Sequence, residues 1–205
     1  LQVLSKNSGN PELGCQPFDK NRTGFVLSEG AAICCLESLD SAIKRDAKIH
    51  AEVIGYATNC NAGHLTAPNL EGQIHVIRSA LKDANILPEQ VDYINAHGTA
   101  TRLNDQIETD TIKSVFDNHA YQIPISSTKS MTGHAMGASS AIEFVATVLA
   151  IKNGFVPPTI NYKTNDPKCD LDYVPNASRE GEINIALTNS FAFGGVNTTL
   201  VLKKW

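Results

Sequence analysis

The chain has 205 residues, long enough to bury a substantial core, and 42% hydrophobic against 19% charged residues is an ordinary globular balance. A net charge of −4 gives no basic footprint for nucleic acid or a membrane surface, and no apolar run reaches the roughly 18 residues of a membrane helix. Five cysteines are an odd number without a CxxC pair, which argues against a disulfide framework or a zinc site and fits a reducing, cytosol-like compartment.

The opening LQVLSKNSGN lacks an initiator Met, is too polar for a signal peptide, and reads as the end of a preceding element. Residues 30–36 read as a strand, with Cys34 and Cys35 as small buried hydrophobes. A short helix over 40–45 leads to a second strand over 49–58. Residues 72–84 place Ile74, Ile77, Ala80, Leu81 and Ala84 at helical spacing. A short buried strand follows over 91–96. Residues 104–116 are helical, with acidic residues in the early turns where the helix dipole favours them. Pro124 and Ile125 lead a strand into 127–129, and a long helix over 138–152 ends at the C-cap signal Asn153–Gly154. Residues 161–182 read as a loop. Strands over 183–189 and 197–203 are joined by a turn at 191–195. Strands alternating with helices predict a layered α/β domain with a parallel or mixed sheet, one compact unit over 1–205.

Polar reactive residues cluster where the predicted strands end: Asn95-Ala96-His97-Gly98-Thr99-Ala100-Thr101, Ser127-Thr128-Lys129-Ser130-Met131-Thr132-Gly133-His134, and Asn189-Ser190-Phe191-Ala192-Phe193-Gly194-Gly195. Ligands of α/β sheets bind beyond the carboxyl ends of the strands, and glycine lets the backbone turn sharply there. Singly, each corner has a structural explanation: a hydrogen-bonded histidine, a solvated lysine, an aromatic plug. Three in one short domain point to a shared site.

These segments resemble the β-ketoacyl synthases. NAHGTATRLND is similar to their first histidine motif, STKSMTGHAMGASSAIE to their lysine and second histidine motif, and NSFAFGGVNTTLVL to their phenylalanine–glycine strand. CQPFDKNRTGFVLSEGAA and HLTAPNLEG match two further blocks in the same order, so the likeness runs from Cys15 to Trp205. It implies the C-terminal half of a type II elongating condensing enzyme: a thiolase-like, layered α-β-α half with a five-stranded mixed sheet.

The family joins an acyl thioester to malonyl-(acyl carrier protein) with loss of carbon dioxide. By the resemblance, His97 and His134 donate hydrogen bonds to the thioester oxygen, Lys129 supports them electrostatically, and Glu143 is a buried partner of Lys129. Phe193 is a gating ring and backbone donor, and Gly194 forms the adjoining turn. Thr66, Thr99 and Thr101 line the phosphopantetheine entrance. The nearly all-apolar helix around Glu143, with Ile142, Phe144 and Val145 beside it, is expected to be buried. No cofactor or metal is implied, because the phosphopantetheine arm arrives on the carrier protein.

The nucleophilic cysteine belongs to the other half of the family fold, and Cys15, Cys34, Cys35, Cys60 and Cys169 are not in its motif. The implied partners are acyl carrier protein, the N-terminal half and a second copy of the complete enzyme, in the cytoplasm or an organelle matrix. A non-catalytic chain-length-factor-like subunit, or an inactive fragment that binds a partner half, is the alternative. Retention of His97, Lys129 and His134 together argues against the chain-length-factor-like subunit.

Overall fold

The computed structural model of the chain describes residues 3–7 and 9–205. Its centre is a five-stranded mixed sheet in the order β1 (Glu52–Cys60), β7 (Val196–Lys203), β6 (Ile185–Phe191), β2 (Tyr93–Asn95) and β3 (Ile125–Ser126). The first three strands run antiparallel to their neighbours, whereas β6, β2 and β3 are mutually parallel. A separate two-stranded ribbon pairs β4 (Phe155–Val156) with β5 (Arg179–Glu180).

Alternation along the strands builds two cores. Ile94, Leu187 and Val201 face α2 (Leu70–Asp83) and α3 (Arg102–Phe116), packing with Ile77, Ala80 and Ile112. Their neighbours Tyr93, Ala186 and Leu202 point the other way, onto Ala150 and Ile151 of α5 (Ser139–Asn153). The result is a layered α-β-α arrangement. Two short helices complete it: α1 (Leu39–Lys44), capped by the Ser38 side chain, and α4 (Lys129–Thr132). Asn69 caps α2 through the Gly72 N–H, and Gly154 ends α5 in the left-handed conformation at φ 65°.

Direction decides where the corners fall. Because β6, β2 and β3 are parallel, their carboxyl ends share one edge of the sheet. Strand β1 is antiparallel to β7, which is antiparallel to β6, so β1 also ends at that edge. The segments after β1, β2, β3 and β6, carrying Thr66, His97, Lys129 and Phe193, therefore meet.

Two sequence expectations are corrected. Residues 30–36 form no strand: among the described residues the backbone of 29–37 finds no backbone partner, and a strand without a ladder is not stable. Ile33 is 97% and Leu36 75% exposed, and Cys34 and Cys35 are exposed rather than core. Helix α5 is not buried all round either. Its sheet-facing side is Ser139, Glu143, Thr147, Ala150 and Ile151, whereas Phe144, Val145 and Val148 are only partly covered. The acidic Asp105 stands in the first turn of α3, as the sequence indicates, and both it and Glu108 are fully buried. Of the opening decapeptide, residues 1, 2 and 8 lie outside the described residues, and Leu4 bridges Phe25.

Candidate active site

The sheet edge opens into a cavity of about 770 Å³ lined by Thr66, His97, Thr99, Thr101, His134 and Phe193, among others. The rings of His97 and His134 stand edge to face, 5.5 Å apart at 87°. Lys129 and Glu143 lie beneath them, 0% and 1% exposed. The Lys129 ammonium makes an ion pair with Glu143 Oε1 and lies 3.4 Å from His97 Nδ1.

These contacts fix the proton on each imidazole. An ammonium can only donate, so His97 Nδ1 accepts and its N–H is on Nε2. His134 Nδ1 faces the Met136 backbone N–H at 3.2 Å and Ser139 Oγ at 2.8 Å, so it too is an acceptor and Nε2 carries the proton. Burial and the neighbouring Lys129 charge hold both rings neutral. His134 is lowered to about 4, and His97, which also faces His134, well below its usual value.

Each corner has its own support. Glu108 accepts the backbone N–H groups of His97 and Gly98, both at 2.8 Å, and its burial raises its carboxyl to about 7 against the pull of those donors. Ser127 Oγ donates to the Gly98 carbonyl at 2.7 Å, tying the first corner to the second. Gly98 sits at φ 38°, and a Cβ there would lie 2.5 Å from Ser127 Cβ, so glycine is required. The His134 backbone exchanges hydrogen bonds with the strand-like segment before residue 30: its N–H donates to Val26 and its carbonyl accepts from Ser28. Phe25 packs edge-on against the His134 ring, 4.9 Å between centroids. Phe191 does the same for His97 at 5.8 Å.

Phe193 is 42% exposed at the cavity wall, on a turn in which Gly194 and Gly195 both have φ 80°. The Gly194 N–H donates to the Leu65 carbonyl at 2.8 Å, which holds this turn against the loop carrying Thr66. Thr99 and Thr101 hydrogen-bond each other at 2.9 Å, so Thr101, the N-cap residue of α3, uses its hydroxyl there and not on the helix.

The candidate residues thus gather at one place: Thr66, His97, Thr99, Thr101, His134 and Phe193 line the cavity, Lys129 and Glu143 are buried behind His97, and Gly194 lies in the turn that carries Phe193. Sequence reasoning missed Phe25, Glu108, Ser127 and Ser139. The signal for Glu108 was present as Asp105 and Glu108 one turn apart directly after a histidine corner. The cysteines divide by burial. Burial pushes the Cys15 thiol up to about 11 and that of Cys169 to about 12, while Cys34, Cys35 and Cys60 are exposed. Among the described residues no group of histidine, cysteine and acidic side chains is arranged to hold a metal ion, and no helix is long and apolar enough to cross a membrane.

A family model described as "Beta-ketoacyl synthase, C-terminal domain" matches residues 50–163. The chain is 53% identical over 206 residues to 3-oxoacyl-[acyl-carrier-protein] synthase 2 of Synechocystis sp., covering 100% of this chain and 50% of that protein. It superposes with a TM-score of 0.93 and 44% identity on a ketosynthase solved with its type II polyketide acyl-carrier protein, over 100% of this chain and 50% of the other. The ishigamide ketosynthase/chain length factor gives a TM-score of 0.90 at 48% identity, over 93% and 47%. The chain spans about half the length of the curated relatives it matches.

Proposed function

This chain belongs to the β-ketoacyl synthase family, and from that premise we propose that it supplies the decarboxylation half of a fatty-acid elongating condensing site. The observation that carries this reading is the pair of neutral imidazoles, 5.5 Å apart over a buried lysine, each with its Nε2–H free to face the cavity.

The substrate is a malonyl thioester on acyl carrier protein. Its carboxylate C–C bond breaks, carbon dioxide leaves, and the electron pair moves onto the thioester carbonyl as an enolate. Negative charge develops on that oxygen, and His97 and His134 donate to it from preorganised positions. The enolate carbon then attacks an acyl thioester on the cysteine of the other half, expelling the thiolate. Lys129, held by Glu143, keeps His97 Nδ1 an acceptor and the site potential positive. The backbone N–H of Phe193 donates to the second oxyanion, and its ring gates the acyl pocket. Thr66, Thr99 and Thr101 give the amide-rich phosphopantetheine arm the hydrogen bonds it needs on burial. No bound cofactor enters these steps.

The partner half has support beyond the shared length of the relatives. Helix α5 leaves Val145 half-covered and Leu149 44% exposed, and the unpaired 30–36 segment presents Ile33 and Leu36. Apolar surface of this extent marks an interface. In this reading the complete site works in the cytoplasm or an organelle matrix, as a homodimer of the joined halves. The intact His97, Lys129 and His134 favour it over a chain-length-factor-like subunit. Mixing the chain with the complementary half and measuring carbon dioxide release from malonyl-(acyl carrier protein) tests it; a folded complex that releases none would refute it.

A further inference from the structure

One face of α5 runs polar where an ordinary helix would be apolar. Ser139, Glu143 and Thr147 recur every fourth residue, all buried, all turned toward the sheet. Glu143 holds Lys129, and Thr147 Oγ1 accepts from Asn95 Nδ2 at 3.1 Å, just before the His97 corner. Ser139 is the first residue of the helix, and its hydroxyl lies 2.8 Å from His134 Nδ1. Both histidine corners are therefore referred to one rigid helix face.

We infer that Ser139 is a positioning residue for His134: its hydroxyl donates to Nδ1 and so holds the ring in the tautomer and orientation that present Nε2–H to the cavity. The inference rests on the proposed decarboxylation reading. The other contact on Nδ1, the Met136 N–H, is a weaker anchor. It is longer, at 3.2 Å, and Met136 is 44% exposed with φ 51°, a conformation that non-glycine residues hold at some cost. Ser139 is 6% exposed and fixed by the helix. A nucleophilic role for Ser139 is disfavoured by the same geometry: the imidazole that would take its proton is held neutral by burial and Lys129, and its Nδ1 already faces a second donor. The charged and titratable groups around His134 are Lys129 of α4 and His97 after β2, with Glu143 of α5 behind Lys129; residues 25–28 contribute none.

The test uses the chain assembled with its complementary half, labelled with nitrogen-15 histidine. The wild-type protein is expected to show His134 with an unprotonated Nδ1 and a protonated Nε2. Ser139→Ala should give a mixture of tautomers and lower kcat for decarboxylation about 3- to 10-fold at unchanged KM, the worth of one neutral hydrogen bond. Ser139→Thr, which keeps the hydroxyl, should restore both. A wild-type proton on Nδ1, or an alanine variant that keeps both tautomer and rate, would overturn the inference. A folded wild-type assembly that does not decarboxylate would instead overturn the functional reading, and the nitrogen spectra would still decide the role of Ser139.

Discussion

Replacing Lys129 by Met should do more than remove a charge from the site. Lys129 is 0% exposed and ion-paired with Glu143, which is 1% exposed and whose Oε2 has no hydrogen-bond partner among the described residues. The variant leaves a carboxylate buried without its counter-ion, which costs about 3–5 kcal/mol in buried pairs. For a chain of this size that lowers Tm by roughly 10 °C. Glu143→Leu alone should cost a similar amount by leaving the ammonium unpaired. The double variant Lys129→Met, Glu143→Leu removes both charges and should recover most of the stability, since a well-packed apolar replacement of a buried pair is often neutral. Decarboxylation should stay lost in all three. Urea unfolding of the assembled protein, read as a double-mutant cycle, measures the coupling. Additive losses would refute this by showing that Lys129 and Glu143 do not compensate each other's burial.

Other consequences can be checked independently. Glu108→Ala strips two buried backbone donors of their acceptor and should destabilise the His97 corner by about 2–4 kcal/mol in chemical denaturation. Gly98→Ala, with its Cβ 2.5 Å from Ser127, should abolish activity with a comparable loss of stability. In a histidine NMR titration His134 should protonate near pH 4, because burial and Lys129 disfavour its charged form. The folded value lies below the unfolded one, so the stability this ring contributes is present above about pH 6.5 and lost as pH falls through about 4. A midpoint at the ordinary histidine value would contradict the neutral pair. Thiol labelling should reach Cys34, Cys35 and Cys60 but not Cys15 or Cys169 in the chain alone. Assembly with the complementary half should protect Cys34 and Cys35; unchanged labelling would place the interface elsewhere.

The sheet was legible because its strands and helices carry their own periodicity: Ile74, Ile77, Ala80 and Leu81 recur at helical spacing, and α5 stops at Asn153–Gly154 where its C-cap signal stands. The meeting of the candidate residues was legible because parallel strands must deliver their carboxyl ends to one edge, so corners far apart in sequence converge. Residues 30–36 misled for a physical reason. Their apolar pattern asks for a sheet, but sequence cannot say whether the partner strand belongs to the same chain. The polarity of α5 misled likewise, since a helix apolar all round reads as buried, whereas its sheet-facing side is its polar one. Ser139 acts through a ring atom brought close only by folding, which no spacing announces, whereas the pairing of Asp105 with Glu108 after the histidine corner marked a place to look without naming the backbone groups that Glu108 accepts.

The donor role of the two histidines is tested most directly by separating the half-reactions. In the assembled protein, His97→Ala and His134→Ala should each lower carbon dioxide release from malonyl-(acyl carrier protein) at least about 100-fold, the loss seen on removing one oxyanion donor. Acyl transfer to the cysteine of the complementary half should remain measurable. Equal loss of both steps in both variants, with the fold intact, would contradict the account.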